Sequence, residues 1–374
     1  MTTRPTTDPI RSLDHLVGWR ESSTTGAAIE AALDAARGSE AAVAARAILG
    51  GAERVVVTGA GSSYYLAQAV AAAARESTHR PYSAAPLSEV LLRPAGVLLA
   101  GAPATQPVIV ISRSGSTSEA VRVVEEMRHL GHPTIAVTCR AASPMARLAD
   151  VSLVSPAGDE EAIVMTRSFA SMLALLLRLI ADMASDAALA ADLDRMPRHW
   201  PEAQAAAEVG RRLGTVDWSR IVILGGGAAQ PIAVEWGLKL TETTQVPITA
   251  CEPLEFRHGP ISVCEPGMLV VALVGGPGAG DELRVVEEAA ALGAATWIIA
   301  QEASDAGMGE APSAAGATET ANQVSLIGGG LLAAARLPLL AHPAHALAFS
   351  LAVTRGLDAD RPRHLEQVVI LDPA

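Results

Sequence analysis

The chain has 374 residues, enough for two domains of ordinary size. Half of the residues are apolar, 18% are charged and 3% are aromatic, which argues against long disordered tails and leaves few rings for stacking bases. Forty acidic residues against 28 basic ones give a formal charge of −12, so the overall field repels a phosphate backbone and an anionic ligand needs a local site. The polar N-terminus MTTRPTTDPIR has no apolar core of a leader, and Gly, Pro or Arg interrupts the apolar stretches, so neither a signal peptide nor a membrane span is expected. Residues 27–48 are Ala-rich with helical spacing, and 1–50 reads as an N-terminal helical segment. A strand follows at Arg54–Val57, then the turn Thr58–Ser63 and an Ala-rich helix to about residue 76.

The pattern continues. Val108–Ile111 is an apolar run of the kind buried in parallel sheets. It ends in Ser112-Arg113-Ser114-Gly115-Ser116-Thr117 and a helix to about Leu130. Further strands are expected at Thr134–Thr138 and Val151–Val154, and a long helix from about 166 to 184. Strands alternating with helices imply parallel βαβ units covered on both faces. The second half repeats the first: residues 55–69 align with 221–235, 108–112 with 269–273, 130–138 with 292–300, and the run VSL recurs at 151 and 324. Four elements kept in order indicate an α/β chain of two domains that arose by duplication. The expected bounds are 51–190 and 205–355, followed by a C-terminal tail at 356–374 that packs near the active site. Residues 303–322 are small, polar and turn-rich and read as a loop.

Three sets of residues could carry chemistry. SRSGST at 112–117 places hydroxyls and a helix start at the carboxyl edge of a parallel sheet, where ligands bind in open α/β folds and where a phosphate finds free N–H groups. The same residues equally suit an ordinary N-cap and turn. GAGSS at 59–63 sits in the same context. It is not a full dinucleotide fingerprint, since Tyr64 stands at the final glycine position, and it fits a phosphate monoester better than a pyrophosphate. Glu242, late in a helix, and His258, at the turn EFRHGP, are a carboxylate and an imidazole suited to moving protons at neutral pH. Alternatively, the glutamate lies on a solvated face and the histidine bonds its own turn. Cys139, Cys251 and Cys264 are scattered and read as reduced thiols of a cytoplasmic protein. The nine histidines form no HxH or HExxH group, so no metal and no cofactor is expected.

The runs TGAGSS, ISRSGSTSE, EAIVMTRSFASM (161–172), GLKLTETT and EFRHGP together resemble the double-SIS-domain phosphosugar family. The wording is most similar to galactosamine-6-phosphate deaminase/isomerases and tagatose-6-phosphate ketose/aldose isomerases. The run AFSLAVTRGLDADRPRHL resembles the isomerase half of glucosamine-6-phosphate synthase. The resemblance implies two flavodoxin-like αβα sandwiches with parallel sheets, and a homodimer with its site at the subunit interface. It implies a phosphate held by Ser63, Ser112, Ser114 and Thr117 with the Arg113 backbone, and a sugar lined by Gly61, Ser62, Val164 and Gln367. Glu242 is then the base between C1 and C2. His258 opens the ring, from the same or the neighbouring subunit. Lys239, one turn before Glu242, tunes the base or binds a hydroxyl, or else makes a structural ion pair.

Two departures from the synthase stand out. The sequence shows no leading glutamine-hydrolysing domain, so synthesis from glutamine is not expected. Gln367 stands where the synthase has its imine-forming lysine, and an amide cannot form an imine. The implied activity is therefore isomerisation or deamination of a hexose 6-phosphate such as galactosamine, glucosamine or tagatose 6-phosphate. A fructosamine-6-phosphate deglycase and a non-catalytic sugar-phosphate sensor are the alternatives. No nucleic-acid or membrane partner is expected.

Overall fold

The computed structural model describes residues 12–306 and 322–370. Two five-stranded parallel sheets form its framework. In the first half β1 is Val55–Gly59, β2 Tyr82–Pro86, β3 Val108–Ile111, β4 Thr134–Thr138 and β5 Val151–Val154. In the second half β6 is Ile221–Gly225, β7 Ile248–Cys251, β8 Leu269–Leu273, β9 Ala295–Ala300 and β10 Gln323–Leu326. The spatial orders are β2-β1-β3-β4-β5 and β10-β9-β8-β6-β7, the same order twice once corresponding strands are matched. Each is the doubly wound order 2-1-3-4-5, with a switch point between the first and third strands. The register is parallel throughout, with Val57 beside Ala84 and Ile109, and Ile223 beside Ala250 and Val271.

The helices of nine or more residues are α1 Thr25–Gly38, α2 Glu40–Gly50, α3 Ser62–Thr78, α4 Ser118–His129, α5 Arg167–Ala184, α6 Ala187–Arg195, α7 Trp200–Leu213, α8 Gln230–Thr244, α9 Ala279–Ala291 and α10 Ala341–Thr354. The single helix expected over 27–48 is two. Ser39 is extended, and its side chain accepts from Ala42 N at 3.1 Å, so an N-cap restarts the helix after Gly38. Of the loop expected at 303–322, residues 307–321 fall outside the described residues, as do residues 1–11 and 371–374; Ser304–Ala306 form a 3₁₀ turn.

The halves correspond beyond their sheets. α1 packs on α5, the last helix of the first half, and α7 packs on α10, the last helix of the second. The connection between the halves therefore runs through helices, α6, a 3₁₀ turn at Met196–His199 and α7. The helical stretch Ala333–Thr354 is long and apolar enough to cross a membrane, but 89% of its apolar window is buried within the fold. The two halves meet where α3 packs against α8.

Candidate active site

The first crevice lies at the carboxyl ends of β1 and β3, the switch point of the first sheet. β1 runs into Gly59, where an added Cβ would sit 2.5 Å from the Ser63 backbone. The chain can turn so tightly into α3 only without a side chain there. Gly61 has φ +53° and starts the helix. Ser62 and Ser63 are buried in its first turn.

The β3 end forms the second wall. Ser112 Oγ accepts from Gly115 N at 3.2 Å and lies 3.4 Å from Thr117 Oγ1. Ser114 Oγ accepts from Ser116 N at 3.2 Å. Gly115 has φ +59°, and a Cβ there would approach Ser143 Oγ to 2.2 Å, so glycine is required on both counts. Behind the loop, Arg113 O accepts from Thr138 Oγ1 at 2.9 Å and from Cys139 N at 3.0 Å. The structure thus brings Ser63, Ser112, Ser114 and Thr117 to two adjacent strand ends.

Arg113 does more than lend its backbone. Its buried guanidinium donates to the carbonyls of Ala162 (2.8 Å), Ile163 (3.3 Å) and Gln367 (3.0 Å), and Nη1 lies 3.4 Å from Glu160 Oε1. Glu160 in turn accepts from Thr166 N at 3.0 Å and Thr166 Oγ1 at 2.7 Å, and from Ser168 Oγ. It caps the entry to α5, where backbone donors lack helical partners. The loop that carries buried Val164 is therefore fixed from two sides, and Glu21 adds a third by accepting from Glu161 N (2.8 Å) and Ala162 N (3.0 Å). Gln367 Nε2 donates to the carbonyls of Glu160 (2.9 Å) and Glu161 (3.2 Å), and Ser118 N donates to Val369 O at 3.2 Å. The C-terminal tail thus lies across the serine loop.

The third wall comes from the second half. On α8, Lys239 Nζ donates to Glu242 Oε2 at 2.6 Å and lies 3.6 Å from Glu235 Oε1. The three residues share one helix face by their i, i+4, i+7 spacing. Lys239 and Glu235 are buried, whereas the Glu242 side chain keeps 18% exposure. Burial alone pulls the Lys239 ammonium down, but Glu235 and Glu242 outweigh it and hold it above its ordinary value. Lys239 is therefore an ammonium at neutral pH rather than a nucleophilic amine. Burial pushes Glu235 up to about 7, against the pull of Lys239 and with Glu242 adding to the rise. Ser62 also biases Glu235 toward its charged form, but neither carboxylate oxygen has a partner at hydrogen-bond distance. Tyr65, one turn into α3, is raised by burial and then by Glu235, Tyr64 and Glu242. Leu238 of α8 lies against Gly61. The acidic face of α8 therefore adjoins the first turn of α3.

No hydrogen bond or ion pair joins His258 to this cluster among the described residues. This histidine is exposed on the turn after Pro253–Phe256, and its ring makes no hydrogen bond among the described residues. Glu235 and Glu160 are the residues that sequence reasoning passed over. The spacing Glu235-x3-Lys239-x2-Glu242 was available as a signal; Glu160 offered none. Among the described residues no group of three or more His, Cys, Asp or Glu is arranged to hold a metal ion.

The model of the SIS domain matches residues 48–181 and 216–327. The chain belongs to the SIS-domain family. Both SIS segments coincide with the two sheets, and the fold is of the phosphosugar-isomerase type. A glutamine–fructose-6-phosphate aminotransferase (isomerizing) of Pyrobaculum aerophilum is 30% identical over 277 residues, covering 71% of this chain and 43% of that protein. Its counterpart from Pseudomonas aeruginosa is 26% identical, covering 71% and 44%. The chain spans less than half the length of these two relatives.

Solved structures share the architecture over nearly the whole chain. The C-terminal domain of the Francisella tularensis glucosamine-fructose-6-phosphate aminotransferase superposes with a TM-score of 0.79 at 18% identity, covering 92% of this chain and 97% of that one. The tagatose-6-phosphate ketose/aldose isomerase of Escherichia coli gives 0.76 at 23% identity, covering 98% and 99%. Glucosamine-6-phosphate deaminase of Thermotoga maritima gives 0.73 at 23% identity, covering 94% and 100%.

Proposed function

We propose that the chain is a glutamine-independent phosphosugar isomerase or deaminase acting on a hexose 6-phosphate. The observation that carries this reading is the packing of α8 on α3, which sets the Glu235–Lys239–Glu242 face beside the buried serines of the first crevice. Ser63, Ser112, Ser114 and Thr117 hold the phosphate ester with the start of α3 and the main chain at Arg113. Gly61, Ser62 and Val164 line the carbon chain. Glu242 takes the C2 proton of the open-chain aldose as the carbonyl moves from C1 to C2, and returns a proton to C1 of the enediol. Lys239 holds the orientation of that carboxylate through its 2.6 Å bond. With a 2-amino sugar the same proton transfer gives a ketimine, which water splits to ketose and ammonia.

Gln367 takes no covalent part: its amide is engaged by two backbone carbonyls. We assign it to closing the tail over the crevice. Ring opening falls to His258, supplied across the interface of a homodimer, in keeping with its exposure.

The test is turnover on galactosamine 6-phosphate, glucosamine 6-phosphate, tagatose 6-phosphate and a fructosamine 6-phosphate. Glu242→Gln is expected to lower kcat by about 10²–10⁴-fold while the sugar phosphate still binds. Absence of turnover on every substrate, with binding intact, points instead to a sensor. Release of an amino acid from the last substrate alone points to a deglycase. Mixing Glu242→Gln with His258→Ala subunits is expected to restore about a quarter of the wild-type rate, because half of the dimers then hold one intact shared site. No recovery would place both groups in one chain.

A further inference from the structure

The duplication gives the second sheet a crevice of its own, at the carboxyl ends of β6 and β8. It keeps the topological position of the first and reverses its chemistry. The turn Gly225-Gly226-Gly227 replaces GAGSS, and Val274-Gly275-Gly276-Pro277-Gly278-Ala279-Gly280 replaces the hydroxyl-rich loop, without one Ser or Thr. Between them lies a cavity of about 290 Å³. Its titratable lining is three carboxylates, Glu76 from the far end of α3, Glu252 and Glu282, and a single guanidinium, Arg336.

That guanidinium is 3% exposed and largely committed: Nη1 donates to Val274 O at 2.8 Å and Nη2 to Ile299 O at 3.2 Å. Its Nε is buried without a partner. Glu282 Oε2 accepts from Gly275 N at 3.3 Å, while Oε1 accepts nothing from the described residues and abuts Gly226, where a Cβ would come within 2.4 Å. Glu252 Oε2 caps Glu255 N at 2.8 Å, and its other oxygen accepts nothing from the described residues. Among the lining side chains, the hydrogen-bonding capacity left unpaired is therefore mostly that of acceptors, with one unpaired donor in Arg336. Three carboxylates facing one guanidinium reject a phosphate and favour a cation.

We propose that this second crevice is a separate binding site for a small primary amine bearing hydroxyls, of about hexosamine size and without phosphate. The ammonium group bonds Glu282 Oε1 and the unpaired oxygen of Glu252, and a small shift of the Arg336 side chain offers its Nε to a hydroxyl oxygen. The proposal does not depend on the reading of the first crevice. Calorimetry on the full chain tests it, with glucosamine, glucose and glucose 6-phosphate as probes. Glucosamine is expected to bind more tightly than glucose, to lose at least about tenfold in affinity in both Glu282→Gln and Glu252→Gln, and to bind unchanged in Ser114→Ala and in protein saturated with glucose 6-phosphate. Should one variant fail to fold, the other gives the same reading. Unchanged affinity in the folded glutamine variants, affinity no better than glucose, or displacement by glucose 6-phosphate would each overturn the proposal.

Discussion

Glu235 holds a carboxyl group at the seam between the halves with no hydrogen bond to either oxygen, and burial raises it to about 7 from the 4.5 of a free glutamate. Between these two values the folded chain keeps a proton that the unfolded chain has released, so stability falls as pH rises through that window and levels off above it. At about 1.4 kcal/mol per unit the loss is on the order of 3 kcal/mol. Glu235→Gln is expected to flatten the slope, and denaturant titrations at pH 5, 6 and 7.5 measure it; an unchanged slope refutes the assignment. Gly115→Ala is expected to cost about 1–3 kcal/mol, since a Cβ meets Ser143 at a positive φ. The same titration checks it, and a neutral result would mean that the loop relaxes. The serines of this site were legible because hydroxyls follow an apolar strand and precede a helix. The depth of Glu235 was not, because helical spacing gives a face but not what covers it.

At the scale of elements, the serine loop, the 160–166 loop and the tail are one assembly built around Arg113. A lysine keeps the charge but loses the fork of donors that reaches Ala162 and Gln367 together. Arg113→Lys is therefore expected to speed hydrogen exchange at the Ser118 amide, which donates to Val369 O, at least about tenfold, with the α5 amides unaffected. Equal protection in both proteins would show that the tail is held elsewhere. No sequence pattern announces such a hub, since most of its partners are main-chain carbonyls. Strand legibility followed the apolar runs. Runs such as Val108–Ile111 are buried on both faces and read as continuous apolar stretches. β2 and β7 share the sheet edges with β5 and β10, but their sequences YSAAP and ITAC carry no apolar run that sets them apart. The duplication was therefore visible in four strands and is complete in five.

At the scale of the molecule, the ends of the chain cross. The helix Val17–Ser22 belongs in sequence to the first half, yet Val17 N and Gly18 N donate to Asp360 at 2.8 and 3.0 Å, and Ser22 Oγ lies 2.9 Å from Nδ1 of both His342 and His345. Trp19 stacks on His342. The tail, from the second half, returns to Arg113 and Ser118. With the α3–α8 seam, these ties are expected to make both halves melt together, so that tryptophan fluorescence and far-UV circular dichroism follow one denaturation curve; two separated curves would show independent halves. Interlaced ends are also expected to make the covalent link between the halves dispensable. If the chain is produced as two fragments, 1–185 and 186–374, divided at the exposed left-handed residue Ser185, each piece carries an arm that grips the other, and the two should elute as a single particle.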